Sequence, residues 1–170
     1  MAKKQSLEEL VKIELKDCRF HADCMALKVK QYRKYDKIFN IVLALTSSGG
    51  ITSWILNSDL GLYCGGIIAV SQSVNALKQF FPFNKHIHTL NTRCYKQEAL
   101  FLELGNLWYE LKDGTIEKDA AKVKLNHLKQ RINDNEFFDD GDEFEFSKEM
   151  QKEAAFMTAD TLKTKYNITD

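Results

Sequence analysis

Apolar residues recur at intervals of three and four from Leu7 to Phe39. This is the period of an amphipathic α-helix, in which one turn takes 3.6 residues. The same period returns in residues 84–112, in a stretch that follows Thr115, and in residues 148–166. The stretch after Thr115 has its apolar face at Ala121, Leu125, Leu128 and Ile132. The pattern therefore predicts an all-α protein.

Two hydroxyl residues precede the later helical stretches. Thr115 follows the Asp113-Gly114 break, and Ser147 precedes the last stretch, which should end near Tyr166. Ser and Thr side chains accept hydrogen bonds from the free N–H groups in the first turn of a helix. We therefore expect both residues to be N-caps.

Residues 38–77 contain a single charged residue, Asp59. Asn57-Ser58-Asp59 divides them into two apolar segments, 38–56 and 60–77. At about 1.5 Å per residue, either segment would cross most of a hydrocarbon core roughly 30 Å thick. We interpret them as a two-helix transmembrane hairpin. The alternative is a soluble bundle with two fully buried central helices, which a chain this short would have difficulty covering.

The predicted fold is an all-α membrane protein with long cytosolic helices on either side of the hairpin. Four segments follow from this interpretation. They are an N-terminal amphipathic helix (1–37), the transmembrane hairpin (38–81), a cytosolic helical hairpin (82–133), and an acidic loop with a C-terminal helix (134–170).

Charge is distributed unevenly along a chain whose formal net charge is zero. Residues 1–96 hold 14 Lys/Arg and 7 Asp/Glu, a difference of +7, and residues 97–170 hold 10 and 17, a difference of −7. Lys and Arg flank the predicted hairpin but are missing from its turn, so the positive-inside rule places both termini in the cytoplasm. Since the basic residues flank the hairpin and no nucleic-acid-binding module is recognisable, we expect no direct contact with nucleic acid.

The order of the hairpin, the exit Phe80-Phe81-Pro82-Phe83 and the helix that follows to Trp108 resemble the SLATT family of two-transmembrane domains. The resemblance implies a bacterial antiphage or conflict system and a multi-pass location in the bacterial inner membrane. It also implies a nucleotidyltransferase, a nucleotide sensor or a reverse transcriptase as partner. The family supplies no catalytic residues to transfer to this chain.

A polar stripe marks the second predicted span. At 100° per residue, five positions fall within about 80° of one another. They are Gly61, Gly65, Gln72, Asn75 and Gln79. Small residues permit close helix approach, and amide side chains in lipid need a partner or water. The stripe therefore predicts either helix packing or the lining of a pore.

Candidate chemistry elsewhere in the chain is weak. Cys18 and Cys24 lie six residues apart and point about 120° away from each other on one helix, so together with His21 they form a poor tetrahedral clamp. No Cys pair forms a CxxC motif. We expect no metal, no cofactor, no catalytic residue and no enzymatic activity.

Two functions follow from these observations. The first is an oligomeric, membrane-perturbing or pore-forming effector, in which cytosolic helices from several copies associate and hold hairpins in a lipid bilayer. The second is a membrane-anchored helical scaffold that recruits a partner without forming a pore. Both predict a homo-oligomer or a protein partner that contacts the helices outside the hairpin.

Overall fold

The computed structural model describes residues 6–47, 73, 76, 83–136 and 144–168. Four helices lie in these ranges, and they confirm the all-α prediction. They are α1 (Leu7–Ser47), α2 (Phe83–Lys112), α3 (Lys118–Glu136) and α4 (Lys148–Tyr166). Ser73 and Ala76 are also helical, and both are exposed.

Within the described ranges, no helix combines the length and the apolar character needed to cross a membrane. In α1, only residues 38–47 belong to the predicted first span, about 15 Å against a hydrocarbon core of roughly 30 Å, and charged Asp36 and Lys37 precede them directly. This finding contradicts the transmembrane hairpin and the multi-pass location in the bacterial inner membrane, and we withdraw both. Apart from Ser73 and Ala76, residues 48–82 lie outside the described part of the chain.

The helix ends follow from local side-chain chemistry. Ser6 and Glu9 form a reciprocal pair at the start of α1, since Oγ of Ser6 accepts from the Glu9 N–H and a Glu9 carboxylate oxygen accepts from the Ser6 N–H. Ser147 caps α4 by accepting from the Met150 N–H at 3.3 Å, as predicted. At its other end, α4 stops at Asn167, whose left-handed conformation (φ 53°) suits a C-cap.

The predicted N-cap at Thr115 is wrong. Both the N–H and the hydroxyl of Thr115 donate to the carbonyl oxygen of Glu110, at 3.0 Å and 3.1 Å, so this residue closes the end of α2. Helix α3 begins later, at Lys118, and the carbonyl oxygen of Glu117 accepts its first-turn bond from Ala121. A hydroxyl can bond to a preceding carbonyl as readily as to a following N–H, and the sequence alone did not separate these outcomes.

The chain divides into two compact units. One, called here the four-helix unit, comprises Met1–Val29 and Thr89–Asp170 and so contains α3, α4, most of α2 and the first half of α1. The second unit comprises Lys30–His88. Within the second unit, the rings of Tyr32 and His86 stack with centroids 5.8 Å apart, which joins α1 to the start of α2.

All four helices contribute to the core of the four-helix unit. Its buried members are Val11, Leu15, Cys18, Leu100, Phe101, Leu104, Leu107, Ala121, Leu125, Leu128, Ile132, Leu162, Tyr166 and Ile168. The four predicted apolar positions of α3 are among them. Removing such side chains from water supplies most of the free energy of folding, at about 25 cal/mol for each Å² of apolar surface.

Helix α4 docks through a narrow seam. Its buried residues are Ala154, Thr158, Leu162 and Tyr166, each four positions after the last. Near the end of this seam, Tyr166 lies edge-on to Phe101, with ring centroids 5.5 Å apart. The Tyr166 ring also approaches Gly105 of α2 so closely that a Cβ on that residue would lie 2.6 Å from Cζ of the tyrosine. A glycine at position 105 is therefore required for this contact.

Candidate interaction surface on α2 and the polar network behind it

A buried ion pair lies where α1 meets α4. The carboxylate of Asp23, which is 2% exposed, receives two hydrogen bonds from the guanidinium of Arg19, at 2.7 Å and 3.1 Å. The two residues are four apart on α1, one helical turn, so their side chains lie on the same face. The bidentate geometry is the strongest form of carboxylate–guanidinium contact.

Both partners of this pair have additional contacts. Thr158 of α4 donates its hydroxyl hydrogen to Oδ2 of Asp23 at 2.9 Å. Arg19 reaches the exposed carboxylate of Glu98 on α2 at 3.4 Å, and its Cζ lies 5.5 Å from the centroid of the Phe101 ring. One ion pair on α1 therefore makes polar contacts with two other helices, α2 and α4.

Burial raises the pKa of Asp23 above its ordinary value of 3.8, and the Arg19 charge and the Thr158 hydrogen bond act in the opposite direction. The net direction shows that removing the carboxylate from water outweighs the stabilisation by its partners. Buried ion pairs are weak evidence for stability, but they penalise arrangements that separate the partners. The Arg19–Asp23 pair is therefore best understood as fixing how α1 and α4 pack.

A second polar cluster joins α2 to the end of α3. The side chain of Asn135 donates to the Gln97 side-chain oxygen at 2.7 Å and to the Arg93 carbonyl at 3.1 Å. Arg93 donates in return to the Asn135 carbonyl at 2.6 Å. Gln97 is fully buried, so its oxygen is satisfied by a protein partner, as a buried polar atom should be.

Two of the described cysteines hydrogen-bond to backbone carbonyl groups of a neighbouring helix. The Cys18 thiol lies 3.4 Å from the Gln97 carbonyl oxygen, and the Cys94 thiol lies 3.6 Å from that of Ala22. Burial raises the pKa of Cys24 to about 11, and burial also raises the pKa of Cys94. Reactive cysteines have a lowered pKa, so the raised pKa values of Cys24 and Cys94 do not indicate reactive thiols.

The side of α2 that faces away from the core carries an exposed apolar seam. Its five residues, called here the α2 seam, are Tyr95, Ala99, Leu102, Asn106 and Tyr109. The intervals between them are four, three, four and three, which is the spacing by which one helix packs along another. Tyr95 is 70% exposed and Leu102 is 55% exposed, so large apolar side chains face solvent here.

The α2 seam stands on a fixed support. Behind it, Phe101, Leu104 and Leu107 are buried in the core. At one end, Tyr109 donates its hydroxyl hydrogen to the Lys165 carbonyl at 2.7 Å, which orients the ring. Binding to a pre-organised surface loses less conformational entropy than binding to a mobile one.

Two ion pairs to α3 lie along one flank of the α2 seam. Arg131 donates to Glu103 at 2.8 Å, and Lys124 donates to Glu110 at 2.7 Å. The Arg131 hydrogen bond lowers the pKa of Glu103, which keeps that carboxylate charged. The flank therefore presents fixed carboxylates beside an apolar strip, an arrangement typical of surfaces that bind another helix.

The residues singled out from the sequence do not form this surface. The polar stripe of the second predicted span lies outside the described residues, so neither pore lining nor helix packing is assigned to it. Its residues are Gly61, Gly65, Gln72, Asn75 and Gln79. In the described part of the chain, no group of three or more His, Cys, Asp or Glu side chains could hold a metal ion.

Comparison with protein-family models, curated proteins and solved structures gave no significant match. The resemblance to the SLATT family therefore stays an expectation.

Sequence reasoning missed both the α2 seam and the buried network. The α2 seam was detectable from the sequence, since Tyr95, Ala99 and Leu102 follow one another at intervals of four and three. For the network, only the four-residue spacing of Arg19 and Asp23 was a local signal. Thr158 and Asn135 gave none, because their partners are distant in sequence.

Proposed function

We propose that this protein is a non-catalytic interaction module, in which the four-helix unit presents the α2 seam to another helix. The observation that carries this proposal is the exposure of Tyr95, Leu102 and Tyr109 at seven-residue intervals along one rigid helix. An exposed apolar surface of this kind costs free energy in water, and a partner that covers it recovers that free energy.

The alternative of a pore-forming effector depends on a transmembrane hairpin, which the described helices contradict. Of the predicted scaffold, binding between proteins is the part that does not depend on a membrane anchor. The chemistry of the described residues also supports an interaction role, because burial raises the pKa of Cys24 and of the partly buried Cys94, and the buried Asp23 is held by Arg19. Cys24 and Asp23 are both at most 2% exposed, so neither side chain is accessible to a substrate.

The test is chemical cross-linking in cells that express the full chain, with Leu102→Asp as the disrupting variant. A charge in the centre of the α2 seam should remove protein cross-links without unfolding the chain, because Leu102 is already half exposed. Val123→Asp is the matched control, since Val123 is 70% exposed on α3 and lies outside the seam. Identical cross-linked products from wild type, Leu102→Asp and Val123→Asp would overturn the proposal.

A further inference from the structure

We infer that the partner of the α2 seam is a second copy of this chain, paired antiparallel through α2. The inference rests on the proposed function and adds the identity of the partner. It comes from the order of residues within the α2 seam and from the charges on its two flanks.

Four of the five α2 seam residues pair with one another when the helix is reversed, and the fifth, Tyr109, lies opposite the exposed Thr92. Consider an antiparallel pair whose two-fold axis crosses α2 at the level of the Leu100–Phe101 peptide bond, on the exposed side of the helix. In this pair Ala99 lies opposite Leu102 of the second copy. The small side chain then leaves room for the large one, and symmetry makes this contact twice. In the same arrangement Tyr95 lies opposite Asn106, so the phenol hydroxyl reaches a side-chain amide.

Charges on the flanks favour the antiparallel arrangement. One flank of the α2 seam is formed by the residues that directly follow Tyr95, Leu102 and Tyr109. These residues are Lys96, Glu103 and Glu110. In an antiparallel pair this flank meets the same flank of the second copy. Lys96 of each copy then faces Glu103 of the other. The carboxylate oxygens of Glu103 each retain a lone pair beyond the bond to Arg131.

A parallel pair would place the opposite flanks against each other. Glu98 of one copy would then face Glu103 of the other, and like charges at this position oppose pairing. Parallel pairing would also place Ala99 opposite Ala99 and Asn106 opposite Asn106. The two small alanine side chains would leave a gap between the helices. Both packing and charge therefore select one orientation.

The length of the α2 seam limits the strength of the pair. From Tyr95 to Tyr109 it spans about 21 Å, or two heptads. Stable dimers bury about 1,200–2,000 Å² in total, and two such short seams cover less than this. The dimer should therefore be weak and reversible, with a dissociation constant on the order of micromolar or above.

Disulfide cross-linking of the full chain separates the possible arrangements. Tyr95→Cys and Asn106→Cys are made in separate chains, mixed and oxidised, and the linked peptides are identified by mass spectrometry. In the antiparallel pair, positions 95 and 106 of different copies face each other. Identical positions are about 16 Å apart along the axis, too far for a disulfide.

The expected result is a linked dimer in the mixture and none above background in either variant alone. Wild type, which carries Cys94 beside this position, gives the background. Linkage within each single variant would instead show a parallel pair and overturn the inference. So would a chain that sediments as a monomer at hundreds of micromolar.

Sedimentation equilibrium supplies an independent measurement. Leu102→Asp should raise the dissociation constant of the dimer by about tenfold or more, and Val123→Asp should leave it unchanged. A chain that stays monomeric while Leu102→Asp still removes a cross-linked partner in cells would overturn the second copy as partner. It would leave the proposed function intact.

Discussion

Thr158 donates its hydroxyl hydrogen to the carboxylate of Asp23 at 2.9 Å, across 135 residues of sequence. Both side chains are at most 2% exposed. Helix α4 thus contacts α1 through a polar bond inside an otherwise apolar interface. A buried carboxylate without hydrogen-bond partners lowers the stability of the fold, so substitutions of either Thr158 or Asp23 should change the free energy of unfolding.

We expect Arg19→Met to lower the free energy of unfolding by about 3–5 kcal/mol, because it leaves the Asp23 carboxylate buried without its counter-charge. Asp23→Asn should cost less, since the amide is uncharged and its oxygen still accepts from Thr158. Urea unfolding followed by far-UV circular dichroism measures both. A larger loss for Asp23→Asn than for Arg19→Met would contradict this account.

The cost of Arg19→Met should depend on pH. Burial raises the pKa of Asp23 above 3.8, so the native state binds the proton more readily than the unfolded state. The contribution of Asp23 to stability therefore falls as pH rises from about 3.8 through its native pKa and is constant above it. Removing Arg19 raises the native pKa further. The deficit of the variant should shrink between pH 7 and pH 5, and a constant deficit would refute this explanation.

Gly105→Ala should destabilise the four-helix unit by about 1–3 kcal/mol, as overpacked cores do. The added Cβ would overlap the Tyr166 ring, which Phe101 and Tyr109 hold in place. In a Tyr166→Leu background the same substitution should cost less, because the ring is gone. Thermal unfolding of the four chains in this double-mutant cycle gives the coupling, and additive effects would show that the clash is relieved elsewhere.

Cys24 should resist alkylation in the folded protein. With a pKa of about 11, only about a thousandth of this thiol is ionised at pH 8, and the side chain is fully buried. Iodoacetamide labelling with peptide mass spectrometry should show slow modification in buffer and fast modification in urea. Equal rates in the two conditions would mean that α1 exposes this thiol in the native state.

Ser147→Ala should lower stability by about 1 kcal/mol, because it removes the acceptor for the Met150 N–H in the first turn of α4. Thr115→Ala is the matched comparison and should cost less, since the Thr115 hydroxyl only supplements a backbone bond to the same Glu110 oxygen. Chemical denaturation of both variants tests the assignment. A larger effect at Thr115 would restore it as a cap.

The helices and their buried faces were predictable because both are encoded locally. Ala121, Leu125, Leu128 and Ile132 reveal their face by spacing alone, and Ser147 is a local cap. The network was not predictable, because Asp23 and Asn135 resemble ordinary surface residues until distant partners enclose them. The hairpin was predicted from the lack of charge in residues 38–77. Low charge alone does not distinguish a membrane-spanning helix from other apolar segments of a chain.

The seam of α4 has a consequence for how uniquely that helix can dock. Its buried residues repeat every four positions, so sliding the helix by one turn would place each residue in its neighbour's position. An all-aliphatic seam would accept several such registers at similar energy. Here a slide brings Ala154 or Leu162 opposite Asp23, and neither can donate a hydrogen bond. The carboxylate would lose a partner at a cost of about 1–3 kcal/mol. The Thr158 hydroxyl group thus favours one register for the whole helix, in addition to the fit of Tyr166 against Gly105.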